Sequence, residues 1–206
     1  MSEALEFTTA EVAFVLREPV SVIRKALDHG PVRTKLVKKP GGAVRSVEWP
    51  DLIYLYAIRG GLQDELTPKA RNQFYDALKS VSVEKTSEVH FGLLRVFIGD
   101  VKAEVWKRAQ ELTKLAEKVE FRSDGEAVLK GTDVEVHRIA ALLSGGMTAT
   151  EICEDYPSLT AETVATAKAY AEAYPKTGRP YPSKTVKRAI RGAGLEELDE
   201  FLDEEK

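Results

Sequence analysis

Apolar residues recur every three or four positions over most of this 206-residue chain. That spacing predicts amphipathic helices separated by short extended segments. Thr8 and Glu11 stand at capping-box spacing, so a helix begins near Thr9, with Val12, Val15 and Leu16 on its buried side. Pro19 suits the first turn of a second helix and Gly30 its end, with Val20, Ile23 and Leu27 facing the core. The periodicity then changes. Val32 to Val37 and Ala43 to Trp49 read as two strands joined through Lys39-Pro40-Gly41-Gly42, and Pro50-Asp51 opens a third helix.

The middle predicts a helix from Thr67 to Val81, packing Phe74, Ala77, Leu78 and Val81, then a strand from Val89 to Ile98 interrupted at Gly92. Asp100 caps a long helix in which Val105, Ala109, Leu112, Ala116 and Val119 recur. Two short strands flank Ser123-Asp124-Gly125. Three helices follow: one with Val136, Ile139, Ala140 and Leu143 ending at Gly145-Gly146, one opened by Thr148 and Glu151, and one capped by Thr160.

Two small helices, a hairpin and a third helix follow the order of a winged helix-turn-helix. In that order the first sixty residues resemble the DNA-binding domains of MerR-like and excisionase-like regulators. The expected fold is mostly helical α+β: an N-terminal winged helix-turn-helix (1–82), a linking and dimerisation segment (83–118), a tri-helical, helix-turn-helix-like domain (119–175) and an extended tail (176–206).

The net charge of −3 hides strong local blocks. Between Pro31 and Val47, Arg33, Lys35, Lys38, Lys39 and Arg45 meet no acid. Between Lys176 and Gly194 there are six more cations and no acid, while the last twelve residues are acidic. Ser21, Arg24 and Lys25 share an outward face of the second helix. Together with the basic hairpin they form the candidate DNA surface: α-helical side chains at the bases, Arg33, Lys35, Lys38, Lys39 and Arg45 at phosphates.

A family resemblance lies in three separated motifs. Leu129-Lys130-Gly131-Thr132, Leu142-Leu143-Ser144-Gly145-Gly146-Met147-Thr148 and Glu154-Asp155-Tyr156-Pro157-Ser158-Leu159-Thr160 fall in the order of the domain of unknown function 433. The likeness covers about 119–174. Where that family commonly has Arg and then Pro after Gly-Thr, this chain has Asp133 and Glu135. Such proteins are frequently encoded with PIN-domain ribonucleases, so the whole chain resembles a long VapB-type antitoxin. The resemblance implies a protein that neutralises a VapC-type toxin by stoichiometric binding and represses its own operon. A stand-alone transcription regulator is the alternative.

The toxin-binding candidates lie in the tail, where Gly178 and Pro180 disfavour helix and predict a chain leaving the body. Arg179 is the first choice to pair with metal-binding carboxylates of a ribonuclease, with Lys187, Arg188 and Arg191 beside it. Tyr181, Val186 and Ile190 supply apolar anchors. His29, His90 and His137 are far apart and Cys153 is the single cysteine, so no metal, cofactor or catalytic role is expected. The acidic N-terminus and the absence of an apolar run of roughly 18 residues predict a cytoplasmic protein. A homodimer through the middle of the chain is expected.

Overall fold

Thr8 starts the first helix as its sequence predicts. Its Oγ1 accepts from the Glu11 N–H at 3.3 Å, and the Glu11 carboxylate accepts from the Thr8 N–H at 2.6 Å. This box closes a short strand β1 (Glu6–Thr8) and opens α1 (Thr9–Leu16). Arg17, left-handed at φ 55°, ends α1 and turns the chain into α2 (Val20–His29). Strands β2 (Lys35–Lys39) and β3 (Gly42–Glu48) pair antiparallel, and β1 pairs with the other edge of β3, giving the order β1-β3-β2. The computed structural model describes residues 5–39, 42–176, 178, 181–186 and 189, with Lys39 described only in its backbone.

Pro50 sits in the first turn of α3 (Trp49–Ala57), where its missing N–H costs nothing. A π-helical turn (Ile58–Leu62), kinked at Gly61, leads to α4 (Gln63–Glu65) and α5 (Pro68–Ser80). The expected strand from Val89 to Ile98 is a hairpin instead. Gly92, at φ 58°, reverses the chain between β4 (Glu88–Phe91) and β5 (Leu94–Phe97). α6 (Gly99–Glu117) follows. Val12, Val15, Ile23, Leu52, Ile53, Phe74 and Leu78 are essentially sealed from water. Aromatic rings knit the elements: Tyr54 to Phe74 at 5.8 Å, Phe74 to Phe91 at 5.4 Å and Trp49 edge-on to Trp106 at 5.8 Å. Val81, expected in the core, is exposed because α5 ends before it, and Ala116 is exposed on α6.

A buried carboxylate organises this part of the chain. Asp51, fully inaccessible, accepts from the Tyr75 hydroxyl at 2.8 Å and from the Glu48 N–H at 2.7 Å, and pairs with Lys79 at 3.2 Å. Tyr75 in turn accepts from the Arg33 N–H at 3.2 Å, so α3, α5 and the approach to β2 share one polar knot. Glu48 extends it outward to Lys35 and Lys79. Those two ammonium groups hold the Glu48 carboxyl down from 4.5 to about 2. A depressed carboxylate contributes stability above its unfolded pKa and loses it as pH falls through the folded one. Between pH 4.5 and about 2 the wild type should therefore lose more stability than Glu48→Gln. Urea denaturation followed by tryptophan fluorescence across that range checks it; parallel pH curves would contradict the assignment.

The chain divides into two compact units, 1–114 and 115–206. The stretch expected as a linking segment falls largely in the first. In the second, β6 (Val119–Phe121) pairs antiparallel with β7 (Ala127–Leu129), followed by α7 (Val136–Ser144), α8 (Ala149–Asp155) and α9 (Ala161–Ala173). Thr148 with Glu151 forms a complete capping box, and Thr160 caps α9 through the Thr163 N–H at 3.3 Å. Val136, Ile139, Leu142, Ile152, Val164 and Ala167 make its core, with Cys153 half-buried against it. The fold as a whole is mixed α+β with helices predominating. No helix among the described residues is long and apolar enough to cross a membrane.

Candidate nucleic-acid interface

Burial of Ile23 and Leu27 fixes the rotation of α2 and turns Ser21, Arg24 and Lys25 to solvent. None of these three has an ion-pair partner among the described residues. Lys38 on β2 is likewise exposed and unpaired there, as is Arg33 ahead of that strand. Two of the remaining expected cations are held by carboxylates. Arg45 pairs with Asp28 at the end of α2, and Lys35 with Glu48 at the end of β3. Both acids stand just outside the acid-free window of the sequence, and pairing along and beside the hairpin brings them in. The side chain of Lys39 lies outside the described residues. The geometry thus separates four open cations, Arg24, Lys25, Arg33 and Lys38, from two compensated ones.

The second unit carries the other expected site. Of the tail residues, Arg179, Lys187, Arg188, Ile190 and Arg191 lie outside the described residues. Residues 181–186 do not leave the body; they lie back on it. Arg138 of α7 donates to the Pro182 carbonyl at 2.6 Å and the Lys184 carbonyl at 2.9 Å. The Thr185 hydroxyl donates to Asp155 at 2.8 Å. Tyr181 donates to Glu126 at 3.2 Å, beneath Lys176, whose ammonium lies 4.5 Å from the Tyr181 ring centre and also pairs with Glu126. Lys176 keeps the Glu126 carboxyl below its usual range, while burial pushes the Tyr181 phenol up. Gly145 lets the chain pass: a Cβ there would stand 2.1 Å from the Ser183 carbonyl oxygen.

Tyr181 is therefore occupied within its own unit, whereas Val186 is exposed. Arg138, Gly145 and Asp155 hold the tail and carry no local sequence signal for it; Gly145 reads as a helix terminator alone. Glu135, one of the departures from the family pattern, pairs with Arg122 at 2.6 Å, and Asp133 is exposed. His137 is half-buried 6.2 Å from the Tyr170 ring, and burial lowers its pKa.

These elements, from the β6–β7 turn through α9, coincide with a family. Residues 122–171 match the family described as "Protein of unknown function (DUF433)". The DUF433 match supports the resemblance seen in the three motifs and leaves the first unit outside it. No curated protein matches the chain. Two chains of solved structures do, among them one from an X-ray structure of Rv2018 from Mycobacterium tuberculosis, at 16% identity over 78% of this chain and 95% of that one. Its TM-score of 0.24 is too low to carry a structural comparison.

Proposed function

We propose that the protein is the antitoxin of a type II toxin–antitoxin pair, binding operator DNA through its first unit and a PIN-domain ribonuclease through its tail. The observation that carries the DNA half is the open set Arg24, Lys25 and Lys38, exposed without carboxylate partners among the described residues. In this reading α1 and α2 are the helix pair of a winged helix-turn-helix of MerR-like type, α2 enters the major groove and β2–β3 is the wing on the phosphates. Half-sites read by a homodimer would give the selectivity that one module lacks. The toxin half rests on the DUF433 likeness, whose relatives accompany such ribonucleases.

A second reading, a stand-alone cytoplasmic regulator, is favoured by one observation. Tyr181, an intended toxin anchor, is already held by Lys176 and Glu126. The two readings share the DNA surface and differ in the tail.

Fluorescence anisotropy on the protein's own promoter at two salt concentrations tests the shared part. Replacing Arg24, Lys25 and Lys38 together by Ala should weaken binding at least tenfold and reduce the salt slope by about one per lost phosphate contact. Lys35→Ala should change far less, because its ammonium is already paired. Equal effects would remove the distinction between open and compensated cations; no effect would remove the interface. A chain ending at residue 175 should keep promoter binding and lose inhibition of the ribonuclease encoded beside it. Full inhibition by that chain rejects the tail mechanism.

A further inference from the structure

The first unit contains a cleft of about 440 Å³ between α2, the end of α3, the π-helical turn and α5. Its polar lining carries the cations Lys25 from α2, Arg59 from the π-helical turn and Arg71 from α5, beside the His29 imidazole and the neutral Tyr54, Gln63 and Asn72. Among the described residues no carboxylate lines it. Leu55 and Ile58 are among the apolar residues of its wall.

These basic groups are not equivalent. Arg59 gives its Nε and Nη2 to Glu18, at 3.2 and 2.7 Å, and is largely compensated. His29 donates Nδ1–H to the Lys25 carbonyl at 2.9 Å, which leaves Nε2 without a partner among the described residues. Lys25 has no ion pair among them. Arg71 is the decisive group. Its Nε is closed off from solvent and has no hydrogen-bond partner among the described residues. That N–H is closed even to water and cannot itself meet a ligand; Arg71, half-buried and lining the cleft, reaches one through its terminal nitrogens.

We infer that this cleft binds a small phosphate monoester, its phosphate held by Arg71 and Lys25 and its apolar body against Leu55 and Ile58. Two uncompensated cations match the charge of a monoester, which is about −1.5 to −2 at pH 7. A guanidinium presents two parallel donors to phosphate oxygens, and a lysine adds a point charge. A cleft partly apolar with a few converging polar groups is the ordinary form of a small-molecule site. The site goes beyond the operator-binding reading and does not depend on it. Lys25 belongs to both surfaces, so an occupied cleft would withdraw one groove-facing contact from DNA.

Phenyl phosphate is the probe, followed by calorimetry and by amide chemical-shift changes in the full-length protein. Saturable binding is expected, with shifts at residues 54–59 and 71–72, and benzoate should bind more weakly because it carries one charge. Arg71→Met should weaken binding roughly tenfold or more. Circular dichroism checks that this variant folds. Lys25→Met, at an exposed position, supplies an independent variant that should also bind less tightly. A promoter duplex should shift residues 21–25 and 38 and leave 71–72 unmoved. No saturable binding at 20 mM, undiminished binding by both variants, or the same shifts at 71–72 with duplex as with phenyl phosphate would each overturn the assignment.

Discussion

Asp51→Ala should destabilise the first unit by about 3 kcal/mol or more, the cost expected when one member of a buried charged network is removed. Three groups lose their acceptor at once: the Tyr75 hydroxyl, the Glu48 N–H at the start of α3, and one of the two carboxylates on Lys79. The site is fully buried, so water cannot replace the carboxylate without opening the core. Tyr75→Phe should cost less, about 1–3 kcal/mol, because Asp51 keeps the Glu48 N–H and Lys79 while the Arg33 N–H loses its acceptor. Both tryptophans, Trp49 and Trp106, lie in this unit and touch each other, so their fluorescence reports its unfolding alone. A lower denaturation midpoint at unchanged slope is the expected form of the result. If Tyr75→Phe proved the more damaging, Asp51 would not be the centre of the network.

Gly145→Ala should detach residues 181–186 while leaving α7 intact. The Gly145 backbone, at φ −78°, suits alanine, so the helix end has no reason to object. The new Cβ, however, would overlap the Ser183 carbonyl at 2.1 Å, and backbone cannot yield as a flexible side chain can. Loss of the seat should break both Arg138 bonds and the Thr185–Asp155 bond together. Trypsin cleavage after Lys184 should then accelerate by about one to two orders of magnitude, equivalent to removing about 1.4–2.8 kcal/mol of local protection. Arg138→Ala should give a weaker version of the same phenotype. Unchanged cleavage in Gly145→Ala would mean that the tail is not seated there.

What the sequence made legible follows from the range of the interactions. The capping boxes at Thr8 and Thr148 involve residues three apart, and the structure has both. The stripe of Ile23 and Leu27 sets which way Arg24 points, because one buried face defines its opposite. Strand β1 escaped notice because Glu6–Thr8 is three residues long and has no alternation to read; it exists only through its pairing with β3. The neutralisation of Lys35 and Arg45 was equally invisible, since Glu48 and Asp28 reach them through hairpin register and helix placement. The return of the tail was hidden for a related reason. Gly178 and Pro180 argue against helix, but a non-helical chain can dock as readily as depart, and the docking partners Arg138 and Asp155 lie 30 to 46 residues away.

The clamp on the tail has a consequence for how this chain can diverge. Arg138 grips carbonyl oxygens, and Gly145 is crossed by backbone, so neither contact reads the side chains of Pro182 or Lys184. A main-chain address is indifferent to most substitutions at Pro182 and Lys184, while Tyr181 and Thr185 are held through their side chains. The residues after Thr185 can therefore be exchanged for others of different affinity without redesigning the seat. Grafting a foreign peptide after residue 186 should leave the second unit's stability nearly unchanged. In engineering terms the unit is a socket: it fixes where a terminal peptide begins and leaves open which peptide it is.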